Sequence, residues 1–395
     1  MRRFESIVVG LGAMGSATAF HLARRGNRVL GLDRYAPPHV HGSTHGDTRI
    51  TRLAIGEGAH YTPLALRSHQ LWREIERETG RTLLTTNGGL ILSSRAKTSA
   101  SHGENFFANT LAAAREFGIA HEMLDATQIR RRFPQFRVVD DEVGYHERDA
   151  GFLRPEECVR VQLALARQHG AEVHPDERAL GFDATDGGVT VTTDRGTYAA
   201  DHLIVAAGAW LPQFVDAAFI ANVRVCRQTL FWFDIEGAVT PFLPENFPVF
   251  IWELQGKKQG IYGFPAIDGP RGGVKIATEQ FDATTTADTV EREVPAAEAR
   301  SMFDDYVAPH VLGLTGRCVK AASCLYTLTP DFGFVIDTLP GMERVTVASP
   351  CSGHGFKHSA AIGEALAERV IDGASHLDLS ACRIERFGAS AIAAQ

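Results

Sequence analysis

The start of the chain carries the clearest hydrophobic pattern. Residues 7–9 are all apolar, as a strand buried on both faces of a parallel sheet requires. A helix is predicted next, and its apolar surface comes from Ala19, Phe20, Leu22 and Ala23. Gly26 ends that helix, and the apolar residues 29–32 predict a second strand. The pattern therefore predicts a strand–helix–strand unit over residues 6–33.

Two later stretches continue this pattern. Residues 187–206 predict a hairpin followed by a strand. Residues 345–348 predict a last strand, which leads into a helix over residues 358–372. The apolar stripe of that helix is formed by Ile362, Leu366 and Val370. We expect these pieces to join the first unit, so that one domain is assembled from separated segments of chain.

The turn between the first strand and the first helix is rich in glycine. Gly10 allows a tight turn, Gly12 lets the backbone approach a pyrophosphate, and Gly15 lets helix and strand pack closely. The positive end of the helix dipole then faces the phosphates. Asp33, at the end of the second strand, is placed to accept ribose hydroxyls, which incidental glycines would not explain. The sequence predicts dinucleotide binding, but this motif does not separate NAD from FAD.

A polar loop at residues 37–58 holds His45, Arg49 and Arg52. On a helical or turn-like segment, Arg49 and Arg52 would point the same way, toward an anion. The alternative is a surface loop whose arginines pair with nearby glutamates. A helix is predicted at residues 62–79, and its end signals are Thr62 as the cap, Pro63 as the first residue and Gly80 as the stop.

Composition excludes several functions. The chain has 395 residues, of which 44% are hydrophobic and 22% charged, so it is typical of a globular protein long enough for two domains. A formal net charge of −7 provides no basic field for nucleic acid or anionic lipid. The basic run at residues 129–133 is interpreted as a solvated helix end.

The sequence also lacks a recognisable targeting segment and a cysteine pattern typical of disulfides or zinc. No signal peptide is visible, and no apolar run reaches the roughly 18 residues of a membrane span. The six cysteines are scattered without a CxxC pair, which favours a reducing compartment over a disulfide framework or a zinc site. The sequence therefore predicts a cytoplasmic protein without a metal site or a membrane span.

Three motifs make the sequence specific. They are GSTHGDTRITR at 42–52, AASCLYTLTPD at 321–331 and SGHGFKHS at 352–359. In this order behind the glycine-rich turn, they resemble the monomeric sarcosine oxidase and N-methyl-tryptophan oxidase family. These are FAD-dependent amine oxidases of the D-amino-acid-oxidase-like superfamily. The resemblance extends over residues 6–387 and includes YTPLALRSHQLW at 61–72, GFLRPE at 151–156 and IYGFP at 261–265.

The resemblance implies an α/β fold with two intertwined domains. A Rossmann-type FAD-binding domain would use residues 1–82, 146–214 and 320–395. An α+β substrate domain, built on a mostly antiparallel sheet, would use residues 83–145 and 215–319. The resemblance also implies a monomer.

Cys324 would carry the cofactor. In the resembling family, FAD is attached through its 8α-methyl group to a cysteine in the motif that reads Ser-Cys-Leu-Tyr-Thr here. The small residues 321–323 leave room for a ring, and a thiolate is the attacking form. From the residues alone, a buried inert cysteine is the better interpretation. Cys318 lies outside the motif and is interpreted as structural.

The implied reaction oxidises the C–N bond of a secondary amino acid, N-methyl or cyclic, to an imine. Dioxygen takes the electrons and leaves as hydrogen peroxide. By resemblance, Arg52 and Lys357 clamp the substrate carboxylate, and we expect two unpaired cations there to favour an anionic ligand. Lys275 would stabilise the anion that forms from O2. The alternatives are a solvent-facing Lys357 at a helix start and an ordinary strand lysine at position 275.

Other assignments follow from the resemblance. His45 and Arg49 would lie beside the flavin ring, and Tyr262 and Tyr326 would line the substrate cavity, although periodicity alone equally allows core positions. Catalytic roles thus fall to Lys275, Arg49, His45 and Tyr326, and substrate binding to Arg52, Lys357, Tyr262 and Glu279. Glu279 replaces a family histidine and would favour a substrate whose side chain is cationic or donates hydrogen bonds. Residues 251–259 lie where a lid would be.

The expected contacts of FAD extend along much of the chain. They are Gly10, Gly12, Met14, Gly15, Asp33, Arg34, Ser43, Thr44, Arg49, Val173, Ala207, Gly208, Trp210, Cys324, Gly353, Gly355, Phe356 and Lys357. Three other functions remain open at this point. They are an amine dehydrogenase with an acceptor other than oxygen, a nicotinamide-dependent reductase and a non-catalytic flavin-binding subunit.

Overall fold

A computed structural model describes residues 1–99 and 105–388. Two stretches inside the predicted domain ranges, 100–104 and 389–395, lie outside the described residues. The strands are β1 (Arg2–Val9), β2 (Val29–Leu32), β3 (Arg49–Thr51), β4 (Leu84–Thr86), β5 (Gly89–Ser94), β6 (Glu122–Asp125), β7 (Glu142–Glu147), β8 (Gly151–Leu153), β9 (Glu172–His174), β10 (Ala179–Thr185), β11 (Gly188–Thr193), β12 (Thr197–Val205), β13 (Arg224–Ile235), β14 (Val249–Trp252), β15 (Ile261–Phe264), β16 (Val274–Thr278), β17 (Leu314–Leu328), β18 (Val335–Leu339) and β19 (Met342–Ser349). The α-helices are α1 (Ala13–Arg24), α2 (Thr62–Thr79), α3 (Phe106–Glu116), α4 (Ala126–Arg132), α5 (Pro155–Gln168), α6 (Ala217–Ile220), α7 (Ala296–Met302) and α8 (Ser359–Asp372).

The first sheet is the predicted nucleotide-binding sheet. Its parallel strands are β9, β2, β1, β12 and β19, and β10, β11 and β18 add antiparallel edges. The predicted hairpin strand and the strand after it are one strand, β12. It stays extended because β1 pairs with it from Arg2–Tyr198 to Val9–Val205. Helix α1 contacts both α5 and α8, and a Cβ added to Gly363 of α8 would lie 2.5 Å from the Cβ of Ala17 in α1.

The second sheet has the order β17-β13-β16-β15-β14-β5-β7-β6. All its pairs are antiparallel except β14 with β5. The predicted domain boundary at residue 320 lies inside β17, so Cys324 and Tyr326 belong to this sheet. A short third sheet, β3-β8-β4, contains Arg49, whose guanidinium lies 3.7 Å from the sulfur of Cys324 in the second sheet. The predicted fold class, a nucleotide-binding α/β part intertwined with a mostly antiparallel part, is confirmed.

Two local predictions differ from the structure. Residues 49–51 form strand β3 rather than a helical turn. Because side chains alternate between the two faces of an extended segment, Arg49 and Arg52 leave opposite faces and take different partners. Helix α2 begins at Thr62, with Tyr61 in the capping position and no side-chain cap bond. A 3₁₀ turn that leads directly into the helix removes the need for the predicted Thr62 cap.

Other local predictions agree with the structure. Gly80 ends α2 in the left-handed conformation, with φ at +68°. The basic run ends α4, and its arginines are exposed. Across residues 1–99 and 105–388, no helix is both long and apolar enough to cross a bilayer.

Candidate active site

One long cavity runs along the carboxyl ends of the parallel strands and under the second sheet. Its walls are formed by residues that follow β1, β2, β12 and β19, together with side chains of β15, β16 and β17. In α/β proteins, ligands bind at this edge of the sheet. The cavity therefore joins the predicted nucleotide site to the predicted substrate site.

At one end, the cavity has the features that a dinucleotide needs. Gly10 has φ at +87°, and a Cβ there would lie 2.4 Å from the carbonyl oxygen of Ala206, so the turn is too tight for a side chain. Asp33 accepts hydrogen bonds from the backbone N–H of Leu11 at 2.7 Å and of Tyr35 at 3.0 Å. These bonds hold a buried carboxylate at the cavity wall, as the ribose contact requires.

Further groups fit the pyrophosphate and the rest of FAD. The N-terminus of α1 opens onto the cavity, and the backbone N–H of Ala13 bonds to Thr44 Oγ1 at 3.3 Å. Ser43 Oγ is buried at the cavity and has no hydrogen-bond partner among the described residues. The Arg34 guanidinium lies 4.8 Å from the ring centre of Trp210. An unsatisfied hydroxyl beside a helix N-terminus is what a bound polar cofactor would complete.

Cys324 faces this cavity from β17 and is 2% exposed. Its sulfur lies 3.4 Å from the carbonyl oxygen of Ser43 and 3.7 Å from Arg49 Nη2. Burial alone would raise the pKa of the thiol, but His45 and Arg49 together lower it from 9.0 to about 7. A substantial thiolate fraction at neutral pH is the property of a reactive cysteine rather than an inert one.

Lys275 is buried on β16, and its side chain contacts the polar loop of residues 37–58. Its ammonium donates to the carbonyl oxygen of Gly46 at 2.7 Å and to the carbonyl oxygen of Thr48 at 3.0 Å. It also lies 4.4 Å from the ring centre of Phe264. Burial, followed by the nearby Arg49 guanidinium, lowers the pKa of Lys275 well below its ordinary value. Lys275 is on a strand, as both interpretations of the sequence required, and it is 2% exposed; its role in the reaction with O2 stays a prediction.

Arg52 and Lys357 converge although they lie 305 positions apart in the chain. Both contact Glu57: Arg52 pairs with one carboxylate oxygen, and Lys357 Nζ lies 3.2 Å from the other. The side chains of all three are 5–6% exposed. The expectation of two unpaired cations is therefore wrong, because a glutamate five residues after Arg52 lies between them. Burial lowers the pKa of Lys357 to about 8, and Glu57 opposes that shift.

The remaining substrate-side residues lie on neighbouring strands of the second sheet. Tyr262 on β15, Tyr326 on β17 and Glu279, directly after β16, all line the cavity. Burial raises the pKa of both phenols, so they stay protonated and can donate hydrogen bonds. Ile251 of β14 adds an apolar contact to the wall.

Most predicted site residues line the cavity, and three do not. His45 is 3% exposed and does not line the cavity, but it lowers the pKa of Cys324, which does. Gly15 serves helix packing, because a Cβ there would lie 1.7 Å from the carbonyl oxygen of Gly10. Val173 lies on β9 and packs against the core of the first sheet instead of facing the cavity.

Sequence reasoning missed residues that line the cavity, among them Thr48, Glu57, Cys351 and His354, and two glutamates that accept from the backbone of the polar loop, Glu147 and Glu156. Glu57 had a signal, since it is an acid just after Arg52 in a polar loop. Glu156 lies in the quoted GFLRPE motif, but nothing local shows which backbone groups it contacts. Fold and cavity together define a dinucleotide-dependent redox protein.

Comparison with known proteins gives the family. Residues 5–369 match the family described as FAD dependent oxidoreductase. The monomeric sarcosine oxidase of Streptomyces avermitilis is 41% identical over 94% of each chain. The N-methyl-L-tryptophan oxidase of Escherichia coli is 34% identical over 98% of this chain and all of its own. The structure of NikD, described as an unusual amino acid oxidase, aligns with a TM-score of 0.82 at 24% identity over 97% of this chain and 98% of its own.

This chain belongs to the FAD-dependent oxidoreductase family. The predicted family, the FAD cofactor and the enzyme class of FAD-dependent amine oxidase are confirmed. The NikD likeness supports the fold alone.

Proposed function

We propose that this protein oxidises the C–N bond of a secondary amino acid, N-methyl or cyclic, to an imine, and that O2 is reduced to hydrogen peroxide. The observation that carries the proposal is the convergence of Arg52 and Lys357 in the cavity that also contains Lys275 and Cys324. The names of the relatives, sarcosine oxidase and N-methyl-tryptophan oxidase, support this substrate class.

Glu57 occupies the place where we expect the substrate carboxylate. The carboxylate of Glu57 between a guanidinium and an ammonium supports a carboxylate as the ligand of the two cations. The incoming substrate would replace Glu57 at one or both cations, so binding involves an exchange of carboxylates. That exchange keeps the net charge of the buried cluster low, which limits the cost of desolvation.

The bound FAD supplies the acceptor for two electrons from the substrate. The protein's own groups orient the amino acid: Arg52 and Lys357 hold its carboxylate, and the protonated phenols of Tyr262 and Tyr326 offer hydrogen bonds. Side chains of the second sheet, among them Tyr262, Lys275 and Tyr326, form one wall of the reacting region. Lys275 places a buried positive charge where negative charge develops as O2 is reduced.

Glu279 and the segment 251–259 would select the substrate side chain. Glu279 adds a carboxylate to the wall shared with Tyr262 and Tyr326. We propose that it favours a side chain that is cationic or donates hydrogen bonds. We also propose a monomeric, cytoplasmic protein, which light scattering of the purified enzyme and fractionation of the source cells would test.

The function is tested by anaerobic titration of the purified enzyme with a panel of N-methyl and cyclic amino acids. We expect the yellow colour to bleach with the matching substrate, and air to restore it with one hydrogen peroxide per amine oxidised. Bleaching without peroxide would instead indicate a dehydrogenase with another acceptor. A protein that no secondary amino acid bleaches would contradict the proposal.

Cys324 would hold FAD through a thioether bond. We expect Cys324→Ser to lose this attachment, because a hydroxyl has no anionic form at neutral pH that could replace the thiolate. The measurement is the partition of yellow colour after acid precipitation, which should change from pellet to supernatant. Cys351→Ser is the matched control, since Cys351 lines the same cavity and should keep its colour in the pellet. Colour released from the wild-type protein would refute the attachment.

A further inference from the structure

Two glutamates outside the polar loop accept hydrogen bonds from its backbone N–H groups. Glu156, in the first turn of α5, accepts from the backbone N–H of Gly46 at 2.6 Å and of Asp47 at 3.1 Å. Glu147, the last residue of β7, accepts from the backbone N–H of Leu53 at 2.6 Å and of Ala54 at 3.2 Å. Both contacts therefore reach the loop from the segment around β8.

Glu156 contacts a peptide group whose other end holds Lys275. The N–H of Asp47 and the carbonyl of Gly46 belong to the same peptide, and that carbonyl accepts from Lys275 Nζ at 2.7 Å. The N–H groups of Gly46 and Asp47 donate to the same carboxylate oxygen of Glu156, and the two residues have φ values of +96° and +69°. Left-handed backbone at a residue other than glycine is costly and persists where its surroundings hold it. Glu156 thus holds the N–H groups on both sides of this carbonyl.

Glu147 has the corresponding relation to Arg52. It holds the two N–H groups that directly follow Arg52, whose guanidinium returns to the carbonyl oxygen of Ala54. Glu147 is 1% exposed, and Tyr145 donates its hydroxyl hydrogen bond to it at 3.0 Å. Among the described residues, its hydrogen bonds come from the N–H groups of Leu53 and Ala54 and from Tyr145, and none comes from Lys275.

We propose that Glu156 is a positioning residue for the reaction with O2, through Lys275, and that Glu147 is a positioning residue for binding the amino acid, through Arg52. This inference rests on the proposed function. A purely structural role for the two glutamates predicts instead that both steps weaken together.

The oxygen arm uses enzyme reduced with dithionite, so it needs no amine substrate. We expect Glu156→Ala to slow reoxidation by O2 by about tenfold to a hundredfold, since small misplacements of a catalytic group have effects of this size. Glu156→Gln keeps an acceptor oxygen for both N–H groups and should lose less. In a Lys275→Met background, Glu156→Ala should slow reoxidation little further, because the residue that it positions is gone.

The substrate arm uses Glu147→Gln. We expect weaker binding of the amino acid and of acetate, read as a change in flavin absorbance, by about tenfold, with unchanged reoxidation by O2. Glu157→Gln is the control, because Glu157 lies on the same turn of α5 as Glu156 but pairs with Arg160 and Arg81. It should leave both steps unchanged.

Amide hydrogen exchange provides a readout that does not depend on activity. Glu156→Ala should speed exchange in residues 43–49, and Glu147→Gln in residues 52–55, without a matching rise in β1 or α1. The proposal is overturned if either glutamate variant slows both steps by equal factors, or if Glu156→Ala leaves reoxidation unchanged. A wild-type enzyme that no amine reduces would refute the proposed function instead, and the dithionite and acetate measurements would still decide this inference.

Discussion

Lys275→Met is expected to slow the reaction of the reduced enzyme with O2 by about two to three orders of magnitude. The loss of one preorganised group that stabilises developing negative charge in a buried site has an effect of this size. Methionine fills similar space without charge, and its sulfur suits the nearby rings of Phe264 and Trp232. The measurement is stopped-flow reoxidation of the reduced enzyme in buffers of known oxygen content.

Lys320→Met is the matched control for this prediction. Lys320 also lies over Trp232, at 4.6 Å from the ring centre, but its ammonium pairs with Asp47 and its side chain is 48% exposed. We expect its reoxidation to stay within a factor of about three of the wild type, because exposed ion pairs contribute little. Equal reoxidation of Lys275→Met and wild type would remove Lys275 from the oxygen reaction.

Arg52→Ala is expected to lower kcat/KM for the amino acid by about thirtyfold to several thousandfold. Loss of one partner from a buried charged pair costs about 2–5 kcal/mol, and each 1.4 kcal/mol is about tenfold. Lys357 alone would then pair with Glu57, and the substrate carboxylate would have no fork to bind. Most of the effect should appear in the dissociation constant, measured by anaerobic titration.

One further variant separates shape from charge in the clamp, and a second variant is its control. Arg52→Lys keeps the charge without the planar fork and should lie between wild type and Arg52→Ala. Arg67→Gln is the control, because Arg67 pairs with Glu364 away from the cavity. If Arg52→Ala bound the amino acid as tightly as the wild type, the carboxylate clamp would have to be assigned elsewhere.

The hydrophobic pattern along the chain predicted those strands and helices whose formation depends on residues close in sequence. The first strand, helix and second strand were found because their burial is regular along the chain, and Gly10 and Asp33 lie where that unit requires them. The paired strands of residues 187–206 were recognised for the same reason, although β1 merges two of the predicted pieces.

Contacts between distant segments were not readable in this way. Glu57 lies between Arg52 and Lys357 only because the segment after β19 folds back onto the polar loop. On a helical or turn-like segment Arg49 and Arg52 would have pointed the same way, but pairing of β3 with β8 extends residues 49–51, and the two arginines take different partners. Val173 was expected at the cofactor but is partly buried on β9 and packs against the hydrophobic core.

By itself, the sequence determined the nucleotide-binding unit, the family and the residue types of the cavity, because these depend on short motifs and their order. Tertiary structure alone decided which charges meet. The effect of a carboxylate on an ammonium or a peptide is strongest within a few ångströms. The contacts of Glu57 with Lys357 and of Gly46 with Lys275 join residues that are 300 and 229 positions apart in the chain. No pattern along the chain encodes distances of that kind, since they arise when the two large sheets close over the same cavity.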